Sequence, residues 1–343
     1  GVRLVATSDQ GGEEALVVLQ GDGAEAEERL DQLDLGRIVT LAVCPKSDRV
    51  AIGNHRNEII IVDLETKTSR VIDRSNTMHD QNVAWSPDGR WLAFNHAETP
   101  ETSYLMIADA ESGEKHTITK PVLHDVSPAW DPEGRYLYFL SYREFDPVYD
   151  NLHFHLSFPR GMRPYVMTLQ RDLPDPFLPR PKAPKKGLPE ALAGMAAQMG
   201  EQKEVTVEID FEGIDRRIRP FPARDGKYSQ VIGGRGKVYF VGHPIMGSLD
   251  TENDVEPRPT GTLEVFDLES GKLDRIVGGL NEIDISRDGA TMIYRSGHRL
   301  RVFSVLAKPD ERDWYALAHA IEQHATRQAA AEPRKLLRDA VLS

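Results

Sequence analysis

At positions 79–94 the chain reads HDQNVAWSPDGRWLAF, and at 124–139 it reads HDVSPAWDPEGRYLYF. The two stretches align residue for residue, 45 positions apart, with Trp85 on Trp130, Pro87 on Pro132, Gly89 on Gly134 and Phe94 on Phe139. A third copy, TLAVCPKSDRVAI at 40–52, keeps Pro45 in the place of Pro87. A fourth, EIDISRDGATMIY at 282–294, keeps Ser286, Asp288 and Gly289. A repeat of roughly 40 to 45 residues containing several short strands is the signature of a propeller blade.

The chemistry of each copy follows from its turn residues. In SPDG the proline sits second, where its fixed φ suits a type I turn, and glycine sits last, where a positive φ carries no steric cost. The flanking runs VAW and RWLAF are apolar and aromatic, as buried strands require. A second hairpin closes each unit. IIIVDLETKTSRVI (59–72), LMIADAESGEKHTI (105–118) and LEVFDLESGKLDRIV (263–277) share a strand, an aspartate, a polar turn and a strand. Two hairpins make a four-stranded blade, which cannot bury both faces by itself and so stacks with others around an axis.

Blade-like units fall at about 2–34, 37–74, 80–120, 125–222, 226–277 and 281–306. The first lacks an obvious opening strand and the last an obvious fourth strand. The expectation is an all-β propeller of six to seven four-stranded blades over 1–306, with a ring that need not close. The fourth unit is swollen by a Pro-, Lys- and Ala-rich insertion at about 173–204, read as an exposed loop with a short helix at 188–199. Strand pairing is expected to resume in EVTVEIDFEGIDRRIRPFP. Trp314, Leu317, Ala318, Ile321 and Ala325 fall at helical spacing, so 307–343 reads as a helical tail or linker.

Composition narrows the function. The 343 residues are 40% hydrophobic and carry a formal charge of -12, which speaks against nucleic acid or an anionic membrane as partner. The single cysteine, Cys44, cannot form an internal disulfide, which fits a reducing compartment. No apolar run approaches the roughly 20 residues of a membrane helix, and no signal peptide is visible.

REFDPVYD (143–150), FHLSFPRGMRPYVMTL (154–169), DLPDPF (172–177), IDFEGIDRRIRPFP (209–222) and YSQVIGGRGKVYFV (228–241) together resemble the tricorn peptidase family, and within it the second, seven-bladed propeller. The opening ATSDQGGEEALVVL and LDLGRIVTLAVCPKSDRVAIGNHRNEIIIVDLET fit the same domain. The resemblance implies a propeller that is not itself the catalyst. The family's serine nucleophile and its histidine lie in a separate C-terminal half, and the propellers shape the passage of short peptides. It also implies a cytoplasmic enzyme that assembles as a hexamer, with peptides and the other domains as partners. The expected function is therefore a non-catalytic region of an intracellular serine peptidase. The alternative is a free-standing scaffold that binds a protein or peptide on one ring face.

Individual residues offer few sites. There is no G-x-S-x-G elbow, and Ser229, Ser248 and Ser304 lack a sequence context marking activation by a base. His153 and His155 have strand spacing for two zinc ligands, but no third is signalled, so no metal or cofactor is expected. The pairs His79–Asp80 and His124–Asp125 precede inner strands, on the rim of a central channel, and are the candidate binding residues. Because they recur in register, holding the blade edge is the favoured role. REFDPVYD belongs to no other copy, which points to packing of the swollen blade or to shaping of the channel mouth. The basic runs PRPKAPKK (179–186) and DRRIR (215–219) read as solvated loop, with docking to another domain as the alternative.

Overall fold

The computed structural model describes residues 3–10, 12, 14–20, 28–77, 80–120, 122–144, 147–149, 152, 156–157, 160–178, 204–246, 258–286, 289–297 and 299–305. They form six antiparallel blade sheets in sequence order. Blade I holds β1 (Arg3–Ser8), β2 (Ala15–Gln20) and β3 (Glu28–Arg29). Blade II holds β4 (Ile38–Val43), β5 (Arg49–Asn54), β6 (Glu58–Asp63) and β7 (Thr68–Arg74). Blade III holds β8 (Val83–Trp85), β9 (Trp91–Thr99), β10 (Thr102–Asp109) and β11 (Lys115–Thr117).

Blade IV interrupts its meander. β12 (Asp125–Trp130) and β13 (Tyr136–Ser141) are followed by a separate hairpin, β14 (Val148–Tyr149) and β15 (Leu156–Ser157). The blade resumes with β16 (Arg163–Thr168) and closes on β17 (Ile218–Pro220). Blade V holds β18 (Lys227–Gly234), β19 (Lys237–His243), β20 (Gly261–Asp267) and β21 (Lys272–Leu280). Blade VI holds β22 (Glu282–Ile285), β23 (Thr291–Ser296) and β24 (Arg299–Ser304). Blades II to V are four-stranded. Blades I and VI have three strands each among the described residues, matching the two units that read as incomplete.

The turn chemistry read from the repeats is present. In the first hairpins Gly89, Gly134 and Gly289 have φ of 72°, 71° and 72°. Their N–H groups donate back to the carbonyls of Ser86, Asp131 and Ser286. In the second hairpins Asp63, Asp109 and Asp267 each accept two backbone N–H groups from the turn that follows. These are Asx turns, in which a short side chain stands in for a backbone carbonyl. The bond from the Thr66 backbone is the main reason that the Asp63 carboxyl lies below its ordinary value.

Each pair of neighbouring blades shares one core cluster. Val5, Leu16 and Val18 of blade I meet Ile38, Val50, Ile52 and Val62 of blade II. Further clusters join II to III, III to IV, IV to V and V to VI. None of these clusters joins VI to I among the described residues. The opening strands β4, β8, β12, β18 and β22 contact one another in succession and line the axis. Two of those contacts repeat atom for atom: Trp85 Nε1–H donates to the Ala42 carbonyl at 3.0 Å, and Trp130 Nε1–H to the Ala84 carbonyl at 2.9 Å. Blade V places Gly233 beside Trp130, and a Cβ there would lie 2.2 Å from the Trp130 carbonyl oxygen. Only glycine allows that approach.

The return from the insertion pairs within the expected stretch, but only near its end. Residues 204–211 form no strand, and pairing resumes only at β17. Their alternating pattern has another cause: Val205, Val207, Ile209 and Phe211 all face the cluster between blades III and IV. The backbone bonds outside any ladder. Val207 N–H donates to Asp88 Oδ2 at 2.8 Å, its carbonyl accepts from Trp91 Nε1 at 3.2 Å, and Asp210 N–H donates to the Leu169 carbonyl at 3.0 Å. Phe211 stacks on His116 with ring centroids 3.7 Å apart. The insertion helix at 188–199, the PRPKAPKK run and the tail at 307–343 lie outside the described residues.

The cluster between blades IV and V is built on Phe221, fully buried among Tyr138, Phe177, Phe240 and Phe266 with centroids 5.0–6.0 Å away. Replacing Phe221 with alanine is expected to lower unfolding free energy by about 3–5 kcal/mol. Replacing exposed Arg171 should change it by less than about 0.5 kcal/mol. Chemical denaturation followed by tryptophan fluorescence reads both.

Candidate functional site

The opening strands run from one rim of the ring to the other. At the far end the first-hairpin turns of blades II to VI surround a cavity of about 960 Å³. Its wall is mostly small or apolar: Val43, Pro45, Ala84, Pro87, Ala129, Pro132, Ile232, Gly233 and Ile285. Charge enters only singly, from Lys46, Glu204, Arg235 and Asp284. Burial raises the Asp284 carboxyl above its ordinary value, the Ile285 N–H partly offsets this, and Glu282 adds to the rise. Glu204 and Val205 bring the returning limb of the insertion to this mouth. Such a wall offers contact without strong charge selection.

The near rim carries the sequence-predicted residues. His79 lies outside the described residues. Asp80 is exposed, and its carbonyl accepts from Asn95 Nδ2 at 2.9 Å. His124 is half-buried, with Nδ1 3.3 Å from Ser103 Oγ and its ring set edge-on to Tyr142. Asp125 is buried, 3% exposed. Ser141 Oγ donates to its Oδ1 at 2.5 Å and Arg143 Nη2 to its Oδ2 at 2.7 Å. Thus Asp80 and His124 can meet a ligand, while the Asp125 carboxylate is occupied in tying β12 to the end of β13.

REFDPVYD is explained in its described part by the same anchoring. Arg143 holds Asp125, while Glu144 accepts two bonds from Arg163 Nη1 at 2.9 and 2.7 Å and one from Tyr165 Oη at 3.0 Å. In the DRRIR run, Arg219 reaches Asp175 in an exposed pair at 3.3 Å. His153 and His155 lie outside the described residues. Among the described residues no group of three or more His, Cys, Asp or Glu side chains could hold a metal ion. No described helix is long and apolar enough to cross a membrane.

One pairing escaped sequence reasoning. Ser229 and His243 are 14 positions apart, yet Ser229 Oγ lies 2.8 Å from His243 Nε2, while Nδ1 lies 3.2 Å from Thr260 Oγ1. A register shift between Tyr228 and Gln230 makes Ser229 the bulged residue of β18. A bulge re-aims a side chain, and no spacing rule signals one.

A propeller with an axial cavity defines a fold rather than an activity, and comparison with known proteins narrows it. The family described as the tricorn protease second beta propeller domain matches residues 1–306. The chain belongs to this family. Tricorn protease homolog 1 of Streptomyces coelicolor is 32% identical over 304 residues, covering 87% of this chain and 28% of that protein. The tricorn protease homolog of Saccharolobus solfataricus is 31% identical over 299 residues, covering 87% and 26%. The chain therefore spans little more than a quarter of these relatives. The crystal structure of the tricorn protease superimposes with a TM-score of 0.71 at 20% identity, over 99% of this chain and 36% of that one. An oligogalacturonate lyase in complex with manganese gives 0.53 at 12% identity, over 90% and 73%. At these identities the two structures bear on the fold alone.

Two rim carboxylates give tests of structural roles. Replacing Asp125 with alanine strands Arg143 and Ser141, and should cost about 3 kcal/mol of stability by urea denaturation. Glu58, 3% exposed, is raised by burial, but hydrogen bonds from Asn54, Arg74 and Arg56 outweigh this and hold its carboxyl below the ordinary value. A carboxylate with a depressed folded-state pKa stabilises above its unfolded value of about 4.3, and this is lost as pH falls through the folded value. Glu58→Gln should therefore be less stable than the parent at pH 7, with the gap closing under acid. Urea midpoints measured across pH check it.

Proposed function

We propose that the chain is the non-catalytic propeller region of a tricorn-like serine peptidase, where it shapes the access of peptides to a separate catalytic domain and assists assembly. The observation that carries this reading is the axial cavity at the far rim, walled by small and apolar groups with charges of both signs. Such a surface slows no particular side chain strongly and admits an extended chain. Its partners are then peptide substrates, the other domains of the peptidase and further copies of the same protein in a cytoplasmic hexamer. Asp80 and His124 would contact peptides at the near rim, with Asp125 supporting that edge.

Free-standing binding of a protein partner on one ring face is the second reading. It is favoured by exposed Val122, Leu123, Val148 and Tyr149 around blade IV.

The gating reading is tested in the full-length protein with Val43→Trp and Ser286→Trp. Both side chains are exposed and line the channel mouth, so the core is not disturbed. Long peptides should be cleaved several-fold more slowly, through kcat/KM, while a chromogenic tripeptide is turned over at the parental rate. An equal effect on all lengths, or on none, would remove the gating role.

A further inference from the structure

We propose that Ser229 is a primed nucleophile, a surface site for covalent acyl modification built from Ser229, His243 and Thr260 on blade V. Ser229 is exposed and stands at the near rim, where β18 begins. His243 ends β19, and Thr260 immediately precedes β20, so three chain segments converge on one imidazole. With the proton on Nδ1, that nitrogen donates to Thr260 Oγ1 at 3.2 Å, and Nε2 accepts from the Ser229 hydroxyl at 2.8 Å. This is the serine–base–orienting group arrangement on which nucleophilic catalysis rests.

The repeat supplies its own control. Blade II has the same bulge, between Ile38 and Thr40, and a histidine, His55, one position beyond β5. There the bulged residue is Val39, and His55 Nδ1 accepts the Arg37 backbone N–H at 2.9 Å. The histidine thus has a place in blade geometry without any serine. Relative to blade II the hydroxyl is the addition of blade V. The bulge of blade IV, between Val126 and Ala129, also holds a serine, Ser127, but Tyr142 and not a histidine follows β13 there. A residue that departs from its repeat serves something other than the repeat.

The surroundings favour the reaction. Burial, and then the charge of Lys227, hold His243 below the ordinary histidine value, which keeps it unprotonated near neutral pH. Lys227 is the direct cross-strand partner of His243, so the two side chains share a face and positive charge stands beside the imidazole. Beyond His243 the chain exposes Ile245 and Met246, which suits an apolar acyl group.

The step is as follows. Ser229 Oγ attacks the carbonyl carbon of an activated ester while Nε2 takes the hydroxyl proton. The tetrahedral intermediate then collapses, the bond to the leaving oxygen breaks, and that oxygen takes the proton from the imidazolium. Acyl-Ser229 and the free alcohol result. The proposal does not depend on the gating role.

The 343-residue chain, incubated with p-nitrophenyl acetate, should release p-nitrophenolate in a burst of about one equivalent, the fingerprint of an accumulating acyl-enzyme. Digestion and mass spectrometry should place one acetyl group on the peptide bearing Ser229. Ser229→Ala should abolish both, and His243→Gln, with thermal midpoint retained, should slow the burst about 100-fold. Thr260→Val should slow it less. A fluorophosphonate, whose adduct resists hydrolysis, should label the same serine if the acetyl ester turns over too fast to isolate. A burst unchanged by Ser229→Ala, acetylation confined to lysines, or no fluorophosphonate adduct on Ser229 would overturn the proposal.

Discussion

Everything in this molecule depends on the burial of one blade face against the next. A four-stranded sheet has two apolar faces and no means of covering either. The five core clusters among the described residues accordingly each bridge consecutive blades. At about 25 cal/mol per Å² of apolar surface removed from water, these interfaces dominate the stability of the ring. The tryptophan bonds from Trp85 and Trp130 to the preceding opening strand add direction to this non-directional force. They tie β8 to β4 and β12 to β8 at matching positions.

That stacking also explains where polar groups are placed. Around the axis the strand openings cannot all be paired, and side chains complete them. Asn82 accepts the Ser127 N–H across the gap between blades III and IV, and Gln230 both donates to and accepts from Ile283 between V and VI. Asp125 performs a related task within blade IV, and for that reason its carboxylate is turned inward rather than to the channel. The far mouth is left with single charges and small apolar groups because its turns are built from proline, glycine and short strand ends. A neutral passage follows from the turn chemistry of the repeat.

The departures from the repeat carry the individuality of the chain. Blade IV admits a hairpin on one side and a long insertion on the other, and the returning limb is used as packing material against Trp91 and His116. Blade V has Gly233 near the end of its opening strand, so its backbone comes into direct contact with Trp130. It also acquires Ser229 opposite a histidine position that blade II shares. Each departure is local and is absorbed without changing the stacking of its neighbours.

The sequence by itself determined the blade, its turns and the order of units. A Pro–Asp–Gly turn and an Asx turn are decided by residues within a few positions of each other, and apolar strands have no alternative to burial. The incomplete first and last units were legible on the same local grounds. The tertiary structure alone decided three things that depend on partners distant in sequence. The V-x-V-x-I pattern of 205–209 looks like a strand, yet its apolar face is claimed by an inter-blade cluster before a ladder can form. Asp125 reads as a rim residue, but Arg143 and Ser141 take its charge. Ser229 carries no motif, because its partner is supplied by a bulge and an adjacent strand, and cross-strand proximity leaves no trace in linear spacing.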